Sequence, residues 1–191
     1  EPEKPEKTGR TGGLPYMGKG VYTTDFQVAD TTGQVYTLVF DGAMSNPSVE
    51  VNGTSVGGWA YGYNSFFLNL PQGVIRPGNN TIRVALENKP QSSRWYPGAG
   101  LYRNVHLVAT SKIHIPVWGT YLTTPYVTAD EASIHLTMDI EGATKGQAVE
   151  VTTDIIDPSG KTVATNNTLY HSHGQPFHQN FLVAKPMLWD T

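Results

Sequence analysis

Val49-Glu50-Val51-Asn52-Gly53-Thr54-Ser55-Val56 is the stretch that most narrows what this chain can become. Two short β-forming runs flank an Asn-Gly pair, and both turn residues tolerate the positive φ that a type I′ turn requires. The segment therefore predicts a tight antiparallel hairpin. The same period of two recurs along the chain. Val21–Val28 sets Tyr22, Thr24, Phe26 and Val28 against Thr23, Asp25 and Gln27, the pattern of a half-buried strand. Val35–Phe40 is a nearly continuous β-forming run and reads as a central strand. Phe66–Leu70 and Thr81–Asn88 read as strands joined by a turn at Arg76-Pro77-Gly78-Asn79-Asn80, and Asn104–Thr110 follows with Val105, Leu107 and Ala109 alternating. Strands this short, with turns this frequent, predict a jelly-roll sandwich.

Around Ser111–Pro116 the pattern restarts. Ala132–Ile140 alternates Ile134, Leu136, Met138 and Ile140 against polar neighbours, and Ala148–Ile156 does the same with Val149, Val151, Thr153 and Ile155. Asp157-Pro158-Ser159-Gly160 has turn chemistry: Asp first, Pro second, Gly last. Lys161–Tyr170 returns as the partner strand and Gln179–Val183 adds another, which predicts an immunoglobulin-like sandwich. The expected fold class is thus all-β, in three parts. Residues 1–13 form a polar arm broken by Pro and Gly, 14–111 a jelly-roll domain and 112–191 the immunoglobulin-like domain. Twenty glycines and thirteen prolines in 191 residues agree with so many turns.

Composition narrows function by exclusion. A net charge of −3 argues against a nucleic-acid or anionic-membrane surface as partner. No apolar run approaches the ~18 residues of a membrane span. Without cysteine there is no disulfide or thiolate chemistry. The glycines form no dinucleotide or phosphate-binding fingerprint, and no Gly-x-Ser-x-Gly elbow occurs. His171, His173 and His178 invite a metal reading, since histidines two apart on a strand share a face. Their Gly- and Pro-containing surroundings read as a loop instead, so no metal and no cofactor is expected. Asn52, Asn79 and Asn166 head Asn-x-Ser/Thr triplets, two of them at turns where Asn is favoured anyway.

Ser93–Val105 carries the strongest functional signal. Arg94, Trp95 and Tyr96 stand immediately before Pro97, Gly98 and Gly100, which suits a sharply turned, well-defined loop. A forked guanidinium beside two flat rings can grip a polar ring such as a sugar, although packed core aromatics would read the same way. Trp59, Tyr61 and Tyr63 share one side if their segment is extended, as a sugar platform or as packing.

Together with Glu87-Asn88-Lys89-Pro90-Gln91-Ser92 ahead of it, the Arg-Trp-Tyr-Pro-Gly-Ala-Gly-Leu-Tyr-Arg run resembles a signature of glycoside hydrolase family 2. The likeness is to β-galactosidases of the gut-Bacteroides kind, and it covers nearly the whole chain. It implies that the jelly roll presses a loop into the mouth of a catalytic (β/α)8 barrel. Ser93, Arg94, Trp95 and Tyr96 would then help bind a β-galactoside, with Asn88 supporting them from behind. It also implies that a final strand after Pro186-Met187-Leu188-Trp189 is missing, which leaves an edge open to pairing with another copy and so a route to a homo-oligomer. The setting it implies is periplasmic or secreted.

Retaining glycosidases work with two carboxylates about 5–5.5 Å apart. In this family both are barrel glutamates, one following an asparagine, and this chain has no Asn-Glu dipeptide. No catalytic residue is therefore expected here, Glu50 and Glu87 reading as solvated strand residues. The chain is expected to be the non-catalytic N-terminal part of a β-galactosidase, inactive alone. The alternatives are a stand-alone carbohydrate-binding module with an immunoglobulin-like spacer, or a purely adhesive domain.

Overall fold

The computed structural model describes residues 18–89 and 100–189. They are all-β, with no helix among them. The chain divides into two compact units, Glu1–Thr110 and Ser111–Thr191.

The first unit is a jelly-roll-type sandwich. One sheet runs β1 (Gly18–Val28), β7 (Gly78–Asn88), β4 (Ser48–Val51), β5 (Thr54–Gly58). The facing sheet runs β6 (Phe66–Asn69), β2 (Gln34–Phe40), β9 (Val105–Ser111), with β2 central as its composition predicts. A two-stranded piece, β3 (Ala43–Met44) with β8 (Gly100–Leu101), closes one end. Leu38, Phe40, Val49, Val51, Phe66, Val84 and Leu86 fill the space between the sheets. Each such side chain contributes about 1.5–3 kcal/mol by leaving water.

The Asn-Gly hairpin forms as predicted. Asn52 and Gly53 take φ of 51° and 78° between β4 and β5. The Asn52 side chain does more than turn the chain. Its amide donates to Val74 O (2.8 Å) and Asn80 Oδ1 (2.8 Å), and its oxygen accepts from Thr81 N–H (3.0 Å).

The structure corrects several sequence expectations. β1 begins at Gly18, three residues before the alternation does, because it pairs residue for residue with the equally long β7. Cross-strand bonding overrides the poor strand propensity of Gly18 and Gly20. Tyr22 and Thr24 are exposed, and only Phe26 and Val28 of the predicted inner face are half-buried. The predicted turn over residues 76–80 gives way at Gly78, so Asn79 and Asn80 already belong to β7. Trp59–Tyr63 is a loop and not an extended segment.

The second unit is immunoglobulin-like. The order β10 (Thr120–Val127), β11 (Glu131–Met138), β14 (Phe177–Ala184) makes one sheet. The hairpin β12 (Ala148–Ile156), β13 (Thr162–His171) makes the other. Ile134, Leu136, Met138, Val151, Tyr170, Phe181 and Val183 form the core between them. Among the described residues, β12 has β13 as its one neighbouring strand.

Sequence reasoning misses β10 because Pro125 interrupts it. The register skips between Thr123 and Tyr126, so the proline sits in a bulge of an edge strand, where its missing N–H costs no ladder bond. Gln179 is buried at 2% exposure within β14, and its amide donates to Val151 O at 3.2 Å.

The Asp157 turn behaves as its residues predict. Its carboxylate accepts from the Ser159 hydroxyl (2.5 Å), Ser159 N–H (2.8 Å) and Lys161 N–H (3.0 Å). The Ser159 hydroxyl, then the Lys161 N–H, hold this carboxyl below the ordinary aspartate value of 3.8. A group whose folded value is depressed stabilises the fold above its unfolded value and loses that effect as pH falls through the folded one. Asp157→Ala is therefore expected to lower the urea midpoint of the second unit at about pH 7 and to do so much less at about pH 2.5. Equal losses at both pH values would mean the carboxylate charge is not what holds the turn.

Candidate functional site

Ser93, Arg94, Trp95 and Tyr96 lie outside the described residues. The structure does define where the segment that carries them leaves and returns. It leaves after β7, whose last residue, Asn88, is 2% exposed and faces Gly18 across the ladder. The end of β7 is hooked to the loop between β3 and β4. Ser45 Oγ donates to Glu87 O (2.8 Å), Glu87 N–H donates to Ser45 O (2.9 Å), and Asn46 Nδ2 donates to Ser45 Oγ (3.1 Å). Asn46 accepts a φ of 48° in making this hook, a conformation that suits Asn among non-glycine residues. The segment returns at Gly100, which pairs with Met44 in the β3–β8 ladder. Both anchors therefore rest on the same short stretch, Ala43–Asn46.

Beside these anchors lies a loop rich in aromatics. Trp59, Tyr61 and Tyr63 are 42%, 58% and 43% exposed. The Trp59 indole lies nearly parallel to the Phe66 ring at 5.6 Å, and Phe66 stacks on Phe40 at 4.7 Å. Trp59 Nε1 donates to Asn64 Oδ1 at 2.9 Å. Tyr61 and Tyr63 meet at 5.5 Å, tilted by 54°. Tyr102 Oη donates to Gly62 O at 2.8 Å, tying the loop to the strand pair that anchors Gly100. Two glycines allow close approach here: a Cβ on Gly62 would press on the Met44 side chain, and one on Gly42 on the Tyr102 ring. Arg103 sits over the Tyr102 ring, 5.6 Å from its centre.

Glu50 and Glu87 do not come together as a pair. Glu50 stands opposite Arg83, with Arg83 Nη1 3.4 Å from its carboxylate, while Glu87 pairs with Lys19. Glu50 and Glu87 are thus offset by four residues along the ladder, about 13 Å at strand rise, too far to act as one pair. An apolar cleft of about 400 Å³ opens between the sheets, lined by Tyr22, Phe26, Leu38, Val84, Leu101 and Leu107 among others, and it holds no carboxylate. A groove of similar size crosses the outer face of β1, β7 and β4 and carries Lys19, Asn46, Arg83 and Glu87, a single carboxylate.

The histidines do not share one loop as their glycine and proline neighbours suggest: His171 ends β13, His178 lies in β14, and His173 falls between the two strands. His173 Nδ1 lies 3.0 Å from the Tyr170 hydroxyl, and His178 Nδ1 lies 3.0 Å from Thr137 Oγ1. Among the described residues, no group of three or more metal-ligating side chains gathers. No helix among them is long and apolar enough to cross a membrane.

No family model matches the chain. Curated and solved proteins do. A β-galactosidase of Bacteroides ovatus is 36% identical over 98% of this chain. A glycosyl hydrolase family 2 member from Bacteroides cellulosilyticus superposes over 92% of this chain, with a TM-score of 0.84 and 31% identity. The chain is homologous to the N-terminal region of glycoside hydrolase family 2 enzymes. A β-glucuronidase of the same family, 23% identical over 91% of the chain with a TM-score of 0.82, shares the fold. The chain spans about a quarter of the length of the family 2 proteins it matches: 23% of the B. ovatus protein, 23% of the B. cellulosilyticus chain and 21% of the glucuronidase.

Proposed function

We propose that this chain is the non-catalytic, sugar-facing part of a retaining β-galactosidase of family 2, working with a catalytic (β/α)8 barrel. The observation that carries this is the match to a β-galactosidase along 98% of the chain. In this assignment Arg94 donates to sugar hydroxyls or orients a barrel carboxylate. Trp95 or Tyr96 walls the pocket, and Ser93 adds a polar contact. Buried Asn88, beside the Ser45–Glu87 hook, holds the root of the segment. A pocket shared between two polypeptide regions binds sugar weakly in either one alone, so the isolated chain hydrolyses nothing. An exported setting and self-association belong to the same proposal.

Complementation tests it. Mixed with a separately produced barrel-containing polypeptide of the enzyme, the chain is expected to restore hydrolysis of an aryl β-galactoside. Arg94→Ala or Trp95→Ala should lower that activity by about 10-fold or more, the scale of one charge-assisted contact. A barrel fully active by itself, with tight sugar binding by this chain alone, would instead establish an independent binding module. Restored cleavage of a β-glucuronide and not of a galactoside would overturn the choice of sugar.

A further inference from the structure

The Trp59–Asn64 loop has a construction that anchoring the Ser93–Tyr96 segment does not require. Phe40, Phe66 and Trp59 form a run of near-parallel rings, with interplanar angles of 4° and 5°, that passes from the buried core to the surface. Phe40 and Phe66 are 0% and 1% exposed, so the indole rests on a close-packed base. Its Nε1 is held by Asn64, and the loop backbone is held at Gly62 by Tyr102. The indole therefore cannot collapse inward, yet Trp59 stays 42% exposed. Two further exposed rings, Tyr61 and Tyr63, stand beside it in the same loop.

The composition of the loop selects among occupants. Residues 59–64 are Trp-Ala-Tyr-Gly-Tyr-Asn, without a charge and without a branched aliphatic side chain. A nucleic acid or acidic peptide would need cations. A lipid surface or an apolar protein helix would be met by Leu, Ile, Met or Phe. Flat rings with polar rims fit a ligand that is apolar on its faces and hydroxylated at its edge. A pyranose ring has that form: axial C–H groups on one face, hydroxyls around the periphery. An indole already held by Phe66 and Asn64 loses little side-chain entropy on binding.

We propose that Trp59, Tyr61 and Tyr63 form a second carbohydrate platform, which stacks a pyranose unit of a β-linked glycan outside the pocket assigned to Ser93–Tyr96. It rests on the glycosidase role proposed above, and it extends that role from a single terminal sugar to a longer chain.

The test uses the 191-residue chain alone, so its result does not depend on whether a barrel complements it. The ¹⁵N-labelled chain is titrated with β-1,4-galactotetraose and followed at the Trp59 indole N–H. The expected result is saturable movement of that resonance with a Kd of about 1 mM. Tyr61→Ala and Tyr63→Ala should each weaken binding about fivefold, the loss of one aromatic face. Tyr61 is 58% exposed, so thermal unfolding of Tyr61→Ala should match that of the parent. Absence of any shift at about 50 mM sugar, or a shift that survives both substitutions, overturns the proposal. So does a loop that ignores sugar but becomes protected when a barrel-containing polypeptide is added, since that marks a protein contact.

Discussion

Phe66→Ala is expected to lower the unfolding free energy of the first unit by about 3–5 kcal/mol, read from urea denaturation. Phe66 is 1% exposed and stacked on Phe40 at 4.7 Å, so truncation removes its transfer free energy and leaves a void between close-packed sheets. The change should also reach the surface. Trp59 lies on the other ring contact of Phe66, at 5.6 Å, and loses its base with the substitution. Its indole resonance should then broaden or move, while Asn64 still offers the Nε1 acceptor. Phe66→Leu refills most of the volume and should recover a large part of the stability without restoring a flat support. A loss below about 1 kcal/mol in Phe66→Ala would show that the site collapses freely and that the ring column is incidental.

Asn80→Ala is expected to cost the same unit about 2–4 kcal/mol. This side chain is 0% exposed and fully engaged. Its oxygen accepts from Arg76 N–H (2.9 Å) and Asn52 Nδ2 (2.8 Å), and its amide donates to Arg76 O (2.8 Å) and Gly78 O (3.1 Å). Alanine would leave those groups buried without their partner, which is dearer than the net worth of the bonds when formed. Asn80→Asp separates hydrogen bonding from volume. It keeps the shape and the acceptor but sets a carboxylate oxygen against two carbonyls, so it should be about as destabilising as alanine near neutral pH. A harmless Asn80→Asp would show that cavity formation is the larger part of the alanine effect. The Asn52 hairpin should loosen in the alanine variant, which removes the oxygen that Asn52 Nδ2 donates to.

Asn80 shows why part of the fold is hard to read from residues in order. Arg-Pro-Gly-Asn-Asn has every mark of a solvated turn, and Asn is mostly an exposed residue. Its burial depends on Asn52, twenty-eight residues earlier, arriving across the sheet with a complementary amide. β10 fails for a related reason. Pro125 argues locally against a strand, and only the partner β11 reveals that the proline falls in the bulge between Thr123 and Tyr126. Tyr22 and Thr24 alternate as an inner face should, yet they remain exposed along the cleft that opens between the sheets.

The candidate site divides in the same way. Asn88 and the Ser93–Tyr96 run are legible as a motif, because residue types at fixed spacing carry the family likeness. The Ser45–Asn46 hook on Glu87 carries no such mark, since a serine and an asparagine beside Pro47 look like any turn. Trp59, Tyr61 and Tyr63 are visible as aromatics two apart. An extended segment would have put all three on one side, whereas in the loop Phe66 and Asn64 hold Trp59, Tyr102 holds the backbone at Gly62, and Tyr61 meets Tyr63.

What this sequence determines alone is what short-range chemistry determines: the Asn-Gly hairpin, the Asp157 turn, the period of two and two successive all-β units. Each depends on residues within about ten positions of one another, where backbone preference and alternation act directly. Tertiary structure decides which alternating faces meet and which stay wet, and where a polar turn residue becomes a core residue. It also decides that a tryptophan ends up propped on two buried phenylalanines. These outcomes turn on pairings between strands distant in sequence, and burial is a property of the partner as much as of the residue.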